Sequence, residues 1–137
     1  MAVSETGGPA VRQRPDTVLV VEDEVFTRMV ISDYLRGCGF RVIEAANADE
    51  AVTLLRHDEI EIDVLFSDIE MPGSMDGFAL SQWVRQNRPG IDVILTGTAP
   101  RAAEAASELC DSGHLPKPYE PHIAVDRIRR LIAARRK

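Results

Sequence analysis

Apolar residues in this chain cluster in short runs with little polar alternation. Val18-Leu19-Val20-Val21, Val64-Leu65-Phe66 and Val93-Ile94-Leu95 are the clearest. Runs of this length, rich in β-branched residues, predict strands buried on both faces, as in a parallel sheet. The pattern gives five strands, at Thr17–Val21, Arg41–Glu44, Asp63–Ser67, Ile91–Leu95 and Gly113–Leu115. Segments of helical period lie between and after them. Glu24–Cys38 places Val30, Ile31, Tyr34, Leu35 and Cys38 at helical spacing and stops at Gly37 and Gly39. Asn47 is an N-cap with Glu50 at the third helical position. The helix behind it presents Ala48, Ala51, Val52 and Leu55 on one face. Gly77–Gln86 is the third helix, stopped near Pro89-Gly90. An alanine-rich fourth follows Pro100 to about Leu109. The fifth begins near Tyr119 and buries Ala124, Val125, Ile128, Leu131 and Ile132. Strands alternating with helices predict an α/β fold: one doubly wound parallel sheet with helices on both faces.

Length and composition narrow the class. The chain has 137 residues, which suits one domain. Residues 1–16, with Gly7-Gly8-Pro9 and no apolar period, are expected to form a disordered lead-in, and 17–137 the folded domain. A single domain, with no second one, is expected. Lysine plus arginine number 16 against 22 acids, a formal net charge of −6. That balance disfavours nonspecific contact with nucleic acid or an anionic membrane. No signal peptide or membrane-spanning run is present, so a cytoplasmic location is expected. Cys38 and Cys110 form no metal or redox motif and read as inert thiols.

The candidate chemistry lies where strands end. The first apolar run meets Glu22-Asp23-Glu24. The third ends at Asp68, before a loop from Ile69 to Gly77. The fourth runs into Thr96-Gly97 and the fifth into Pro116-Lys117-Pro118. In an open α/β sheet, ligands sit outside the carboxyl ends of the strands. Parallel packing would therefore bring two acids, an aspartate, a hydroxyl and a lysine to one edge. Taken singly, each residue is more simply a turn, strand or loop residue. Together they suit a hard cation such as magnesium, with Glu22, Asp23 and Asp68 as oxygen ligands. Asp68 is then a carboxylate nucleophile for an acyl phosphate, with Lys117 and Thr96 as donors to its oxygens.

Several of these pieces together resemble the receiver domain of bacterial two-component response regulators. They are Val20-Val21-Glu22-Asp23-Glu24, Asp68-Ile69-Glu70-Met71-Pro72-Gly73, Asp76-Gly77, Leu95-Thr96-Gly97 and Pro116-Lys117-Pro118. The resemblance covers residue 17 to about 133. It implies a flavodoxin-like sheet of order 2-1-3-4-5. It implies Asp68 as phosphoacceptor, with Mg2+ held by Glu22, Asp23, Asp68 and the backbone carbonyl of Glu70, Asp23 contacting it directly. Thr96 would be the switch hydroxyl, Lys117 the phosphoryl-binding lysine, and Lys117–Pro118 a cis peptide. The implied partners are a histidine kinase or phosphotransfer protein and an unknown downstream protein, with the chain a monomer or weak dimer. Its catalysis would be limited to its own phosphorylation and dephosphorylation.

Two positions depart from the usual pattern. His114 stands where receivers carry Tyr or Phe; it is placed at the switch position as a smaller, polar residue, and its simpler reading is a half-exposed strand histidine that packs adequately. Glu70, two residues after Asp68, would affect the lifetime of the phosphoryl group. The basic tail, Arg129-Arg130 and Arg135-Arg136-Lys137, complements the last helix dipole. Three other readings remain at this level. The first is a phosphate sink or relay intermediate, and the second a phosphorylation-independent adaptor. The third is a haloacid-dehalogenase-type phosphatase, which needs an aspartate where Glu70 stands.

Overall fold

The computed structural model describes residues 15–98 and 114–135. The elements are β1 (Thr17–Val21), α1 (Val25–Gly37), β2 (Arg41–Ala45), α2 (Ala48–Leu55), β3 (Val64–Asp68), α3 (Gly77–Asn87), β4 (Asp92–Gly97), β5 (His114–Pro116) and α4 (Pro121–Arg135). The strands form one parallel sheet in the order β2-β1-β3-β4-β5. This is the expected 2-1-3-4-5 arrangement. Four helices lie among the described residues. The helix expected after Pro100, the lead-in over residues 1–14 and Cys110 fall outside them.

Alternation along β1 divides the core. Val18 and Val20 point to the side covered by Ile31 and Leu35 of α1 and Ala124, Val125 and Ile128 of α4. Leu19 and Val21 point to the other side, against Ala48, Ala51, Val52 and Leu55 of α2 and Leu80 and Val84 of α3. Leu131 of α4 is half-buried. Asn47 caps α2 as expected: its side chain accepts from the Glu50 amide at 2.8 Å. Glu50 reaches one residue further back, accepting the Ala46 N–H at 2.8 Å.

Element ends differ from expectation by small, explicable steps. Asp63 lies before β3 because its carboxylate accepts the Thr17 N–H at 2.8 Å. Ile91 closes a turn onto the Arg88 carbonyl at 3.1 Å, so β4 starts one residue later. Tyr119 is not helical; its ring packs edge-on against Phe66 at 5.7 Å. The helix starts instead at Pro121, a residue whose fixed φ and missing N–H suit a first turn.

The face of α1 is a correction. Ile31, Ser32 and Leu35 are buried, whereas Val30 and Tyr34 are 43% and 40% exposed. Apolar residues occur on two sides of this helix, and period alone does not choose between them. Contact with the sheet does.

Arg135 shows that the basic tail does more than offset a dipole. Its guanidinium donates to the Asp63 carbonyl at 3.0 Å and lies 3.6 Å from the Asp92 carboxylate. It thereby ties α4 to the amino edge of β3 and β4.

Gly77 begins α3 where that helix crosses under the end of β3, and its amide donates to the Ile69 carbonyl at 2.9 Å. A Cβ there would press into the Asp68 carbonyl oxygen and stand 2.7 Å from the Ile69 Cα. Both neighbours are backbone and have little room to yield. Gly77→Ala is expected to destabilise the fold by about 2 kcal/mol through overpacking. Urea unfolding measures this. A midpoint equal to wild type would mean that the crossing is looser than described.

Candidate functional site

The parallel register carries the predicted residues to one edge. Asp68, the last residue of β3, lies opposite Thr96 of β4, and Thr96 opposite Leu115 of β5. Lys117 follows directly, its amide donating to the Gly97 carbonyl at 2.6 Å. Beyond β1, the Glu22 amide bonds the Ala45 carbonyl at 3.1 Å. Glu22, Asp68 and Thr96 are buried, Lys117 is half-buried and Asp23 is exposed.

The carboxylates converge. One oxygen from each of Glu22, Asp23 and Asp68 lies within 4.8 Å of the others. Lys117 Nζ stands 3.1 Å from Glu22 Oε1 and 3.3 Å from Asp68 Oδ2. The other Asp68 oxygen, Oδ1, accepts the Glu70 amide at 3.2 Å. Asp68 is thus held at both oxygens by N–H donors that leave further lone pairs free.

Burial governs the protonation of the cluster. It raises the Asp68 pKa above the ordinary carboxyl value, although Lys117 and the Glu70 amide pull the other way. Glu22 is raised by burial and by the Asp68 charge, against Lys117. Burial also disfavours the Lys117 ammonium, but Asp68 and Glu22 outweigh it and raise its pKa. One ammonium therefore faces three carboxylates and does not fully compensate them. A divalent cation fits that deficit, and oxygen donors at this spacing suit magnesium. Burial, then the Glu22 and Asp68 charges, raise the Tyr119 phenol above its ordinary value.

The remaining candidates are placed as follows. Glu70 is exposed, and its amide touches Asp68. The Lys117–Pro118 peptide is cis, as the resemblance implied. His114 starts β5, with its carbonyl accepting from Arg127 at 2.5 Å and its Nδ1 buried without a hydrogen bond. Beside the site, a groove of about 430 Å³ runs between α1 and the Lys117–Pro121 loop. Phe26, Thr27, Val30, Lys117, Pro118 and Tyr119 are among its walls.

Three supporting residues were given no role at the site by the sequence reading. Arg28 donates to the Glu22 carbonyl at 2.8 Å. Gly77 admits the crossing under Asp68, and Tyr119 packs on Phe66 and walls the groove beside Lys117. Only Gly77 sat in a motif; the other two act through contacts across the fold.

A family model described as "Response regulator receiver domain" matches residues 18–129. Two curated relatives differ in kind. The DNA-binding transcriptional regulator NtrC of Salmonella typhimurium is 36% identical over 119 residues, which is 85% of this chain and 24% of the relative. The sensor kinase CckA of Brucella abortus is 37% identical over 105 residues, 75% of this chain and 11% of the relative. The chain thus spans about a quarter or less of the length of these two relatives. Among solved structures, a response regulator receiver protein from Sinorhizobium medicae superposes with a TM-score of 0.81 at 21% identity, covering 92% of this chain and all of that one. The response regulator TrrA of Thermotoga maritima, in complex with Mg2+–BeF, has a TM-score of 0.74 at 22% identity, over 85% of this chain and 98% of that one. These two likenesses support the fold, and the family match runs from β1 well into α4. The chain belongs to the response regulator receiver domain family.

Proposed function

We propose that Asp68 accepts a phosphoryl group from a histidine kinase or phosphotransfer protein, and that the change is passed to a downstream protein. One observation carries the reading: a buried aspartate oriented by Lys117 and the Glu70 amide, beside two further acids. A lone pair of the Asp68 carboxylate attacks phosphorus on the donor imidazole. The phosphorus–nitrogen bond breaks, and its electron pair returns to that imidazole. Lys117 is already within reach of the Asp68 carboxylate, so its ammonium meets a phosphoryl oxygen without travelling far. Glu22, Asp23, Asp68 and the Glu70 carbonyl would hold Mg2+. When bound, the ion neutralises phosphoryl oxygens that the three carboxylates would otherwise repel. The magnesium complex of the Thermotoga relative is in keeping with this assignment.

Thr96 and His114 form the switch in this reading. The Thr96 hydroxyl gains an acceptor only when Asp68 is phosphorylated. It therefore interacts differently with the two states, which a shift between them requires. Glu70 lies beside the path by which water reaches the phosphorus, and its carboxylate sets the lifetime of the acyl phosphate. Catalysis is confined to the protein's own phosphorylation and dephosphorylation, in the cytoplasm.

The central test is labelling. Acetyl phosphate with Mg2+ should add one base-labile phosphoryl group to the wild type and none to Asp68→Asn. Label retained on the variant would overturn the assignment.

Protonation supplies a second check. A raised Asp68 pKa means that the folded state holds its proton to a higher pH than the unfolded chain does. Without metal, this group destabilises the fold above its folded pKa, and the penalty fades as pH falls toward the unfolded value of about 4. Asp68→Asn should therefore be more stable than wild type at neutral pH without metal, with the gap closing in acid. Added Mg2+ should stabilise the wild type more than the variant, by mass action. Urea titrations across pH with and without MgCl2 read both effects.

The donor would meet an apolar surface beside the site. Val25, Phe26 and Met29 are 61%, 67% and 51% exposed, and Phe26 borders the groove shared with Lys117. Phe26→Glu is expected to slow phosphotransfer from a protein donor about tenfold or more, as loss of a buried aromatic anchor does. It should leave labelling by acetyl phosphate unchanged. Equal slowing with both donors would place the effect within the site and not on docking.

A further inference from the structure

We propose that Arg28 is a positioning residue for the acidic pair: it fixes the Glu22–Glu24 turn from which the cation is held. This rests on the magnesium reading above. The turn leaves β1 at a point where strand pairing ends. Its first residue, Glu22, is buried, and its carbonyl oxygen has passed the last register pair of β1 with β3. A buried carbonyl without a donor is costly. Arg28, in the second turn of α1, supplies the donor, with Nη1 2.8 Å from the Glu22 oxygen.

The guanidinium is itself held. Its Nε lies 3.4 Å from Glu44 Oε1 on β2, and Arg36 Nη2 lies 3.0 Å from the other oxygen of Glu44. Arg28 therefore bridges two points with two different nitrogens. One is the backbone of the acidic turn; the other is the edge strand. A lysine keeps the charge but lacks the planar fork that spans both. Its side chain is only 18% exposed, so the bridge is largely shielded from water.

The rest of the turn depends on the same anchor. The Glu24 amide donates to Glu22 Oε2 at 3.2 Å, which turns the Glu22 carboxylate toward the site. Glu24 also caps α1, accepting from the Thr27 amide at 2.7 Å and from its hydroxyl at 2.6 Å. Asp23 stands between these two residues and is exposed. Among the described residues, no hydrogen bond or ion pair of its own side chain holds it. Its position is therefore set by the backbone on either side. Arg28 grips that backbone from below, at the carbonyl that leads into Asp23. Loosening this contact would spread the oxygens that now lie within 4.8 Å.

Outer partners that orient ligands typically contribute about 10- to 100-fold in metal affinity. Arg28→Lys and Arg28→Met are therefore expected to bind Mg2+ about tenfold more weakly than wild type, measured by calorimetric titration. Glu44→Gln, which leaves Arg28 present but less well held, should give a smaller loss. Combining it with Arg28→Met should add little further, since both act through one bridge. Urea unfolding in EDTA separates positioning from simple structural support. Arg28→Lys should unfold near the wild-type midpoint and still lose affinity. A lowered midpoint with unchanged Mg2+ affinity would overturn the proposal. If wild type takes up no Mg2+, the cation reading falls and this inference falls with it. If wild type binds and the Arg28 variants bind equally well, only this inference is lost.

Discussion

One ammonium set among three carboxylates is the constraint on which the rest of the structure turns. Lys117 lies within 3.3 Å of both Glu22 and Asp68, yet burial raises both of those acids above the ordinary range. A fold seeking stability alone would not hold this charge out of water, because removing ions from solvent costs more than a partial pairing returns. The surrounding structure therefore has to over-determine the cluster. It does so with backbone: Glu22 is pinned to Ala45, Asp68 to the Glu70 amide, and Lys117 to the Gly97 carbonyl.

The sheet makes this possible because its edge is rigid. β1, β3 and β4 are central strands with apolar residues on both faces, so their carboxyl ends cannot shift without disturbing two cores at once. Small differences in the cluster's charge are then felt as changes in fit and not absorbed by local give. A phosphoryl group added to Asp68 would add charge at the point of least tolerance.

The molecule keeps its opposite edge quiet by different means. There Asp63 accepts the Thr17 amide, and Arg135 gathers the Asp63 carbonyl and the Asp92 carboxylate. One guanidinium there lies close to both the Asp63 and the Asp92 carboxylates. Beside the active edge, α1 shows an apolar strip that its own core does not need. Val25, Phe26 and Met29 contribute nothing to the buried clusters and would be an odd choice for a helix facing only water.

The sequence by itself determined the alternation of strands and helices, the central strands and the set of strand-end residues. Each of these is local. A β-branched run without polar alternation can only be buried on both faces, and a cap such as Asn47 is decided within a few residues. Strand order 2-1-3-4-5 came from resemblance, and the register that sets Asp68 beside Thr96 agrees with it. What only tertiary structure decided is which way an ambiguous helix turns and who holds whom across the chain. Helix α1 has apolar residues on two sides; docking on the sheet buried Ser32 and left Val30 and Tyr34 outside. The grip of Arg28 on Glu22 and Glu44, and of Arg135 on Asp63 and Asp92, joins residues on different elements. Hydrogen bonds of that kind depend on distances in space, and no spacing along the chain encodes them.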